Sequence, residues 1–239
     1  MAEAAADAWR ITSGRDEFVR GLAATLADDF RAAVAARGHF LFGASGGSTP
    51  EPVYRRLATM PLPWSSLSVL VVDERAVPPQ HEASNQRMIA ASLLATHPEA
   101  KLIGLWSDAG SLDAMAAVAD ERVRSLAAPL DTVLLGMGED GHFASCFPSA
   151  RRFEVVIDPD ADAHVLAIAP MPTGVHPAIE RLSLSWAFLR RARRIVLAVT
   201  GERKREVLRQ AMHDEDPARL PVAALFRPGM PGVDIHWSA

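Results

Sequence analysis

Residues 131–148 read DTVLLGMGEDGHFASCFP: a short apolar run that opens into a loop with three glycines, two acids, a histidine and the chain's only cysteine. The run is too short for a helix and apolar throughout, the pattern of a strand covered on both faces. Similar runs recur at HFLFGAS (39–45), LSVLVVDER (67–75), AKLIGL (100–105), HVLAIAP (164–170) and ARRIVLAVTG (192–201). Helical patterns lie among them. In residues 15–38, Phe18, Leu22, Leu26 and Phe30 form one stripe that ends at a capping Gly38. Further helices are expected at 49–57, with Pro50 in the first turn, at 84–96 capped by Ser84, and at 111–127, 182–189 and 202–213. Residues 220–238 read as a short helix and a last strand. Strands alternating with helices predict an α/β fold, a mainly parallel sheet with helices on both faces. In such sheets ligands bind beyond the carboxyl ends of the strands. Four polar loops follow predicted strands: GASGGSTP, DERAVP, GMGEDGH and TGERK. Right-handed crossovers bring them to one edge.

Composition narrows the function. A chain of 239 residues can bury a full core, and a net charge of −4 gives no support for a nucleic-acid surface. No apolar run reaches the roughly 18 residues of a membrane span. The start, MAEAAADAWR, has no apolar secretory core, and one cysteine makes no internal disulfide, so a cytoplasmic protein is expected.

GASGGSTP offers backbone N–H groups, a following helix start and the hydroxyls of Ser45, Ser48 and Thr49, beside Gly46 and Gly47. That is a phosphate cradle, although the lysine of a Walker loop is missing. The same residues spell G-x-S-x-G, a hydrolase nucleophile elbow with Ser45 attacking, but the strands that normally precede an elbow are missing. Asp73, Glu74 and Arg75 are three adjacent charges at a strand end, and need solvent, pairing or a ligand. Arg181 and Lys204 add positive charge; Lys204 sits at a helix start, where the dipole opposes it and a bound anion would relieve it.

The opening loop contains G-x-G-x-x-G, the spelling of a dinucleotide turn. Glu139 and Asp140 would repel a pyrophosphate there, and Pro148 leaves little room for the helix such a turn requires. His142 beside Asp140 suits proton transfer instead. Cys146 reads as a small buried hydrophobe, and no spacing argues for a metal.

Taken in order, SGGSTP, DERAVP, SNQRM, GMGEDGHFASCFP, ERLSLS and TGERKREVL resemble the 6-phosphogluconolactonase family, within the wider glucosamine-6-phosphate isomerase/deaminase superfamily. The resemblance covers nearly the whole chain. It implies one Rossmann-like, doubly wound domain over residues 1–239 that hydrolyses 6-phospho-D-glucono-1,5-lactone to 6-phospho-D-gluconate. Carried over by motif, His142 is the base activating water and Asp140 its neighbour. Ser45, Gly46, Gly47, Ser48, Thr49, Asp73, Arg75, Arg87, Arg181 and Lys204 fall to substrate and phosphate binding. The family implies no metal and no organic cofactor. The expected partner is the small sugar-phosphate lactone, with neither nucleic acid nor membrane, and the chain is expected as a monomer, with a weak homodimer as the alternative. Members usually have Thr where this chain has Phe143, and Leu where it has Cys146. The rival of another class is a sugar-phosphate sensor that keeps the phosphate loop without needing Asp140 and His142.

Overall fold

The computed structural model describes residues 9–239 apart from 127, 128, 149, 170, 172, 173, 215, 228, 229 and 231. The first eight residues, read as lacking a secretory core, and the last residues of two expected segments, Ala127 and Pro170, lie outside the described residues. The strands are β1 (Trp9–Thr12), β2 (Phe40–Ala44), β3 (Leu67–Val71), β4 (Asp73–Arg75), β5 (Lys101–Ile103), β6 (Thr132–Gly136), β7 (Val165–Ile168), β8 (Arg181–Leu184), β9 (Ile195–Thr200) and β10 (Val233–Ser238). The helices are α1 (Arg15–Arg37), α2 (Pro50–Leu57), α3 (Asn85–Ile89), α4 (Leu112–Arg124), α5 (Phe153–Ile157), α6 (Trp186–Leu189) and α7 (Glu202–Asp214). Seven strands form a sheet in the order β1-β10-β9-β6-β2-β3-β5, and every pairing in it is parallel.

That order fixes where a ligand can sit. From β2 the chain winds outward through β3 to β5, then returns to β6 on the other side of β2 and winds away through β9 to β10. The reversal falls between β2 and β6. The connections leaving these neighbours diverge to opposite faces and leave a crevice at the sheet's carboxyl edge. All residues of β2 and β3 are buried, which requires cover on both faces. No described helix is long and apolar enough to cross a membrane.

Local sequence explains the main elements. The α1 stripe of Phe18, Leu22, Leu26 and Phe30 is buried, and Gly38 ends the helix at φ 75°, a conformation that favours glycine. Pro50 occupies the first position of α2, and Ser84 Oγ accepts from Arg87 N at 3.1 Å at the start of α3. Asp131 ties the centre of the sheet to its surroundings: Oδ2 accepts from Leu41 N at 2.8 Å, while Oδ1 pairs with Arg37 at 2.6 Å and Arg193 at 3.4 Å.

Four readings change. LSVLVVDER, expected as one strand, divides: β3 ends at Val71 in the main sheet, and Asp73–Arg75 form β4 in the smaller antiparallel sheet. HVLAIAP was expected alongside the other strands; β7 instead pairs antiparallel with β8, and β8 with β4, in a separate three-stranded sheet. There is no slot for β7 beside β6, because β6 pairs directly with β9, Val133 opposite Ile195. Residues 182–189 were expected as one helix. Their first part is β8, where Leu and Ser alternate with the period of a strand, and Ser185 then caps the single turn α6 by accepting from Phe188 N at 3.3 Å. Finally, β1 escaped notice: Arg10 and Ile11 are exposed on this four-residue edge strand, so no apolar run announces it.

Phe30 is fully buried, stacked on Phe40 at 5.0 Å and edge-on to Trp64 at 5.7 Å. Phe30→Ala should cost about 3–5 kcal/mol in denaturant unfolding, while activity per folded molecule is retained. A loss under 1 kcal/mol would show that this end of the core collapses to fill the space.

Candidate active site

At the sheet's carboxyl edge lies a cleft of about 640 Å³, lined by residues from all four polar connections named above. The loop after β2 contributes Ser45–Pro50, β4 contributes Asp73 and Arg75, the loop after β6 contributes Gly136–Asp140 and His142, and α7 contributes Lys204. Arg181 enters from β8, opposite Arg75.

The loop after β6 is a tight turn built on glycine. Gly138 N donates to His142 O at 2.9 Å, Gly141 N donates to Gly138 O at 3.2 Å, and Gly141 takes φ 76°. A Cβ on Gly138 would overlap the His142 ring and lie 2.6 Å from Asp140 Oδ1, so only glycine lets the backbone pass so close. Val222 N fastens the turn from outside by donating to Gly141 O at 2.9 Å. Ala144, two residues beyond His142, holds the left-handed φ of 48°, a local strain of about 1 kcal/mol.

Within this turn Asp140 Oδ1 stands 2.5 Å from His142 Nδ1 and also accepts from His142 N at 3.2 Å. Burial would raise the Asp140 pKa, but the hydrogen bonds and charge of His142 outweigh it and hold the carboxyl below its ordinary range. The ionised carboxylate can only accept, so Nδ1 of the neutral ring bears the proton and Nε2 keeps its lone pair. The Phe147 ring, 4.5 Å from the imidazole, packs beside it. Such a pair is able to act as an oriented base at the cleft.

Positive charge collects on the other elements. Arg75 and Arg181 are register partners on antiparallel strands, an arrangement of like charges that costs free energy. Arg181 is only 3 % exposed, and burial pulls its pKa down to about 10 against the pull of Asp73. Two backbone carbonyls steady it: Nε donates to Ile179 O at 3.0 Å and Nη2 to Pro177 O at 3.1 Å. Arg75 Nη1 donates to Ala83 O at 2.7 Å and Asn85 Oδ1 at 2.9 Å, while its buried Nε has no hydrogen-bond partner among the described residues. Ser45 Oγ is likewise buried and without a partner among the described residues, although the Ser45 carbonyl accepts from Tyr54 Oη at 2.9 Å. Ser45 Oγ has no bond to His142, which argues against Ser45 as an elbow nucleophile.

DER divides by strand alternation. Asp73 and Arg75 line the cleft, whereas Glu74 is fully buried and accepts from Ser84 Oγ and from the backbone N of Arg75, Asn85 and Gln86 at 2.7–3.0 Å. Burial pushes the Glu74 pKa up against these four donors; its role is to start α3. Arg87 does not join the site. It is exposed on α3 outside the cleft lining, because the helix turns its side chain away once Ser84 and Glu74 have capped the start. Cys146 is buried outside the lining, and burial followed by the nearby Asp73 charge pushes its thiol pKa up. Phe143 is also buried, edge-on to Trp186 at 5.6 Å. Among the described residues no group of three or more His, Cys, Asp or Glu is arranged to hold a metal ion.

Asn85 was missed. It is 3 % exposed in the cleft wall, and a Cβ on Gly46 would overlap its amide. In the sequence it reads only as the residue after a helix cap. His176, also at the cleft, lies in a connection that carries no recognisable pattern.

Gly138→Ala should displace the Asp140–His142 pair and lower turnover by about 100-fold or more, the scale of a misplacement of roughly 1 Å. Far-UV circular dichroism should not change; full activity would show that the loop accommodates a Cβ without moving the histidine.

A family model described as glucosamine-6-phosphate isomerases/6-phosphogluconolactonase matches residues 13–237. The 6-phosphogluconolactonase of Rhizobium meliloti (strain 1021) is 40% identical over 222 residues, covering 91% of this chain and 94% of the relative. That of Caulobacter vibrioides is 40% identical over 225 residues and 94% of each chain. Among solved structures, a 6-phosphogluconolactonase from Shewanella baltica OS155 superposes with a TM-score of 0.89 at 32% identity, over 97% of both chains. With the motif order, the parallel sheet and this coverage in agreement, the chain belongs to the glucosamine-6-phosphate isomerase/6-phosphogluconolactonase family.

Proposed function

We propose that the chain is a 6-phosphogluconolactonase, hydrolysing 6-phospho-D-glucono-1,5-lactone to 6-phospho-D-gluconate in the oxidative pentose phosphate pathway. The observation that carries its mechanism is the Asp140–His142 pair at one cleft with two opposed arginines. His142 Nε2 takes a proton from water as the water oxygen adds to the lactone carbonyl carbon. The tetrahedral intermediate collapses by breaking the bond from that carbon to the ring oxygen, and His142 returns the proton to the departing oxygen. The carboxylic acid so formed ionises to the product. Asp140 keeps the imidazole in the useful tautomer and stabilises its cation while it holds the proton. Arg75, Arg181, Lys204 and the Ser45–Thr49 loop hold the phosphate; this supplies positioning and leaves proton transfer to the pair. Asp73 orders this wall: its carboxylate accepts from Ser145 Oγ at 2.7 Å. The lone cysteine fits a cytoplasmic enzyme.

His142→Ala should lower kcat by about 10²–10⁴ while 6-phosphogluconate still binds in calorimetry. The assay uses freshly generated lactone, with glucosamine 6-phosphate as the control substrate; unchanged lactone turnover would remove His142 from the mechanism. Arg181→Ala and Lys204→Ala should chiefly raise KM for the phosphorylated lactone. An equal loss on unphosphorylated D-glucono-1,5-lactone would count against their phosphate roles.

A further inference from the structure

Asn85 divides its amide between opposite charges. Its Oδ1 accepts from Arg75 Nη1 at 2.9 Å, and its Nδ2 donates to the Asp73 carbonyl at 2.7 Å and to Asp73 Oδ1 at 3.4 Å. Asp73 and Arg75 are two residues apart on β4, so their side chains leave the strand on one face, with Arg181 directly across from Arg75. A carboxylate so placed is the natural partner of either guanidinium, yet among the described residues no ion pair joins them. Neutral groups stand in the way: Ser145 Oγ donates to Asp73 Oδ2 at 2.7 Å, and Ala83 O shares Arg75 Nη1 with Asn85. The loop after β2 closes over this arrangement, since Gly46 leaves no room for a side chain against the Asn85 amide.

We propose that Asn85 is a positioning residue that keeps the Asp73 carboxylate from neutralising Arg75, so that the charge of that guanidinium, which lines the cleft, remains available to the substrate phosphate. The inference rests on assigning Arg75 to phosphate binding. A neutral amide can satisfy a cation and an anion at once without cancelling either charge. Without it, Asp73 and Arg75 form a direct charge-assisted bond, and an incoming phosphate must break that bond before it can bind.

The test is a double-mutant cycle read as the Kd for 6-phosphogluconate and as KM and kcat for the lactone. Asn85→Ala should weaken product binding and raise KM by about ten-fold, with kcat nearly unchanged, a coupling typical of groups in one network. In the Arg75→Ala background, Asn85→Ala should add no further loss. Asn85→Asp keeps the shape but sets a second carboxylate beside Arg75, and should bind product more weakly than Asn85→Ala. Losses that multiply in the double variant, or Asn85→Asp binding as well as Asn85→Ala, would overturn the proposal. Arg75→Ala with wild-type binding would instead refute the Arg75 assignment beneath it. If both Asn85 variants unfold while Arg75→Ala stays folded, the side chain serves the fold and the proposal fails.

Discussion

Two arginines facing each other across antiparallel strands, with one of them almost wholly removed from water, form the constraint around which the cleft is built. Burial and like charge both disfavour such a pair. The structure offsets the cost with neutral acceptors rather than carboxylate partners. Arg181 takes two backbone carbonyls, and Arg75 takes a backbone carbonyl and an amide oxygen. Each guanidinium keeps its orientation and its charge. That is a poor arrangement for stability and a good one for gripping a dianion. The small sheet of β4, β8 and β7 exists at this edge to hold it, since no parallel strand of the main sheet carries either arginine.

The loop that carries His142 and the charged strands β4 and β8 are mechanically joined. Ser145, three residues after His142, donates its hydroxyl to Asp73 on β4 and its backbone N to Ser183 Oγ on β8 at 3.2 Å. From the other side, Ser45 N donates to Leu134 O at 3.3 Å, binding the loop after β2 to β6. His142 therefore has a fixed place relative to the cations, as the proposed mechanism requires.

Much of this was legible in the chain. Short apolar runs between amphipathic segments gave away the parallel sheet, and the glycine loops after β2 and β6 announced the two sides of the cleft. Pro148 is read as leaving little room for a helix after the loop, and among the described residues the next regular helix begins at Phe153. The misreadings share a cause. An apolar run such as HVLAIAP states that it is buried, not which sheet buries it. A strand and a helix start fused as LSLSWAFL carry both periods over too few residues to separate them. Arg87 and Asn85 show the same limit at the site. Both lie in SNQRM, and which of them faces the cleft depends on how Glu74 and Ser84 cap α3, a contact between segments ten residues apart. Hydrogen-bond geometry chose the neutral residue over the charged one.

Charge placement also sets the direction in which a substrate lies under the proposed function. Glu139 and Asp140 flank the histidine, and a phosphate dianion brought there would meet two carboxylates. Arg75, Arg181 and Lys204 line the same cleft. The two ends of a 6-phospho lactone are thereby told apart before any specific contact forms. The phosphate is drawn to the arginines, and the uncharged lactone carbonyl is the end that can approach the acidic loop. Under the proposed function, the acids that argue against a cofactor's pyrophosphate in GMGEDGH also repel the phosphate end of the substrate from His142.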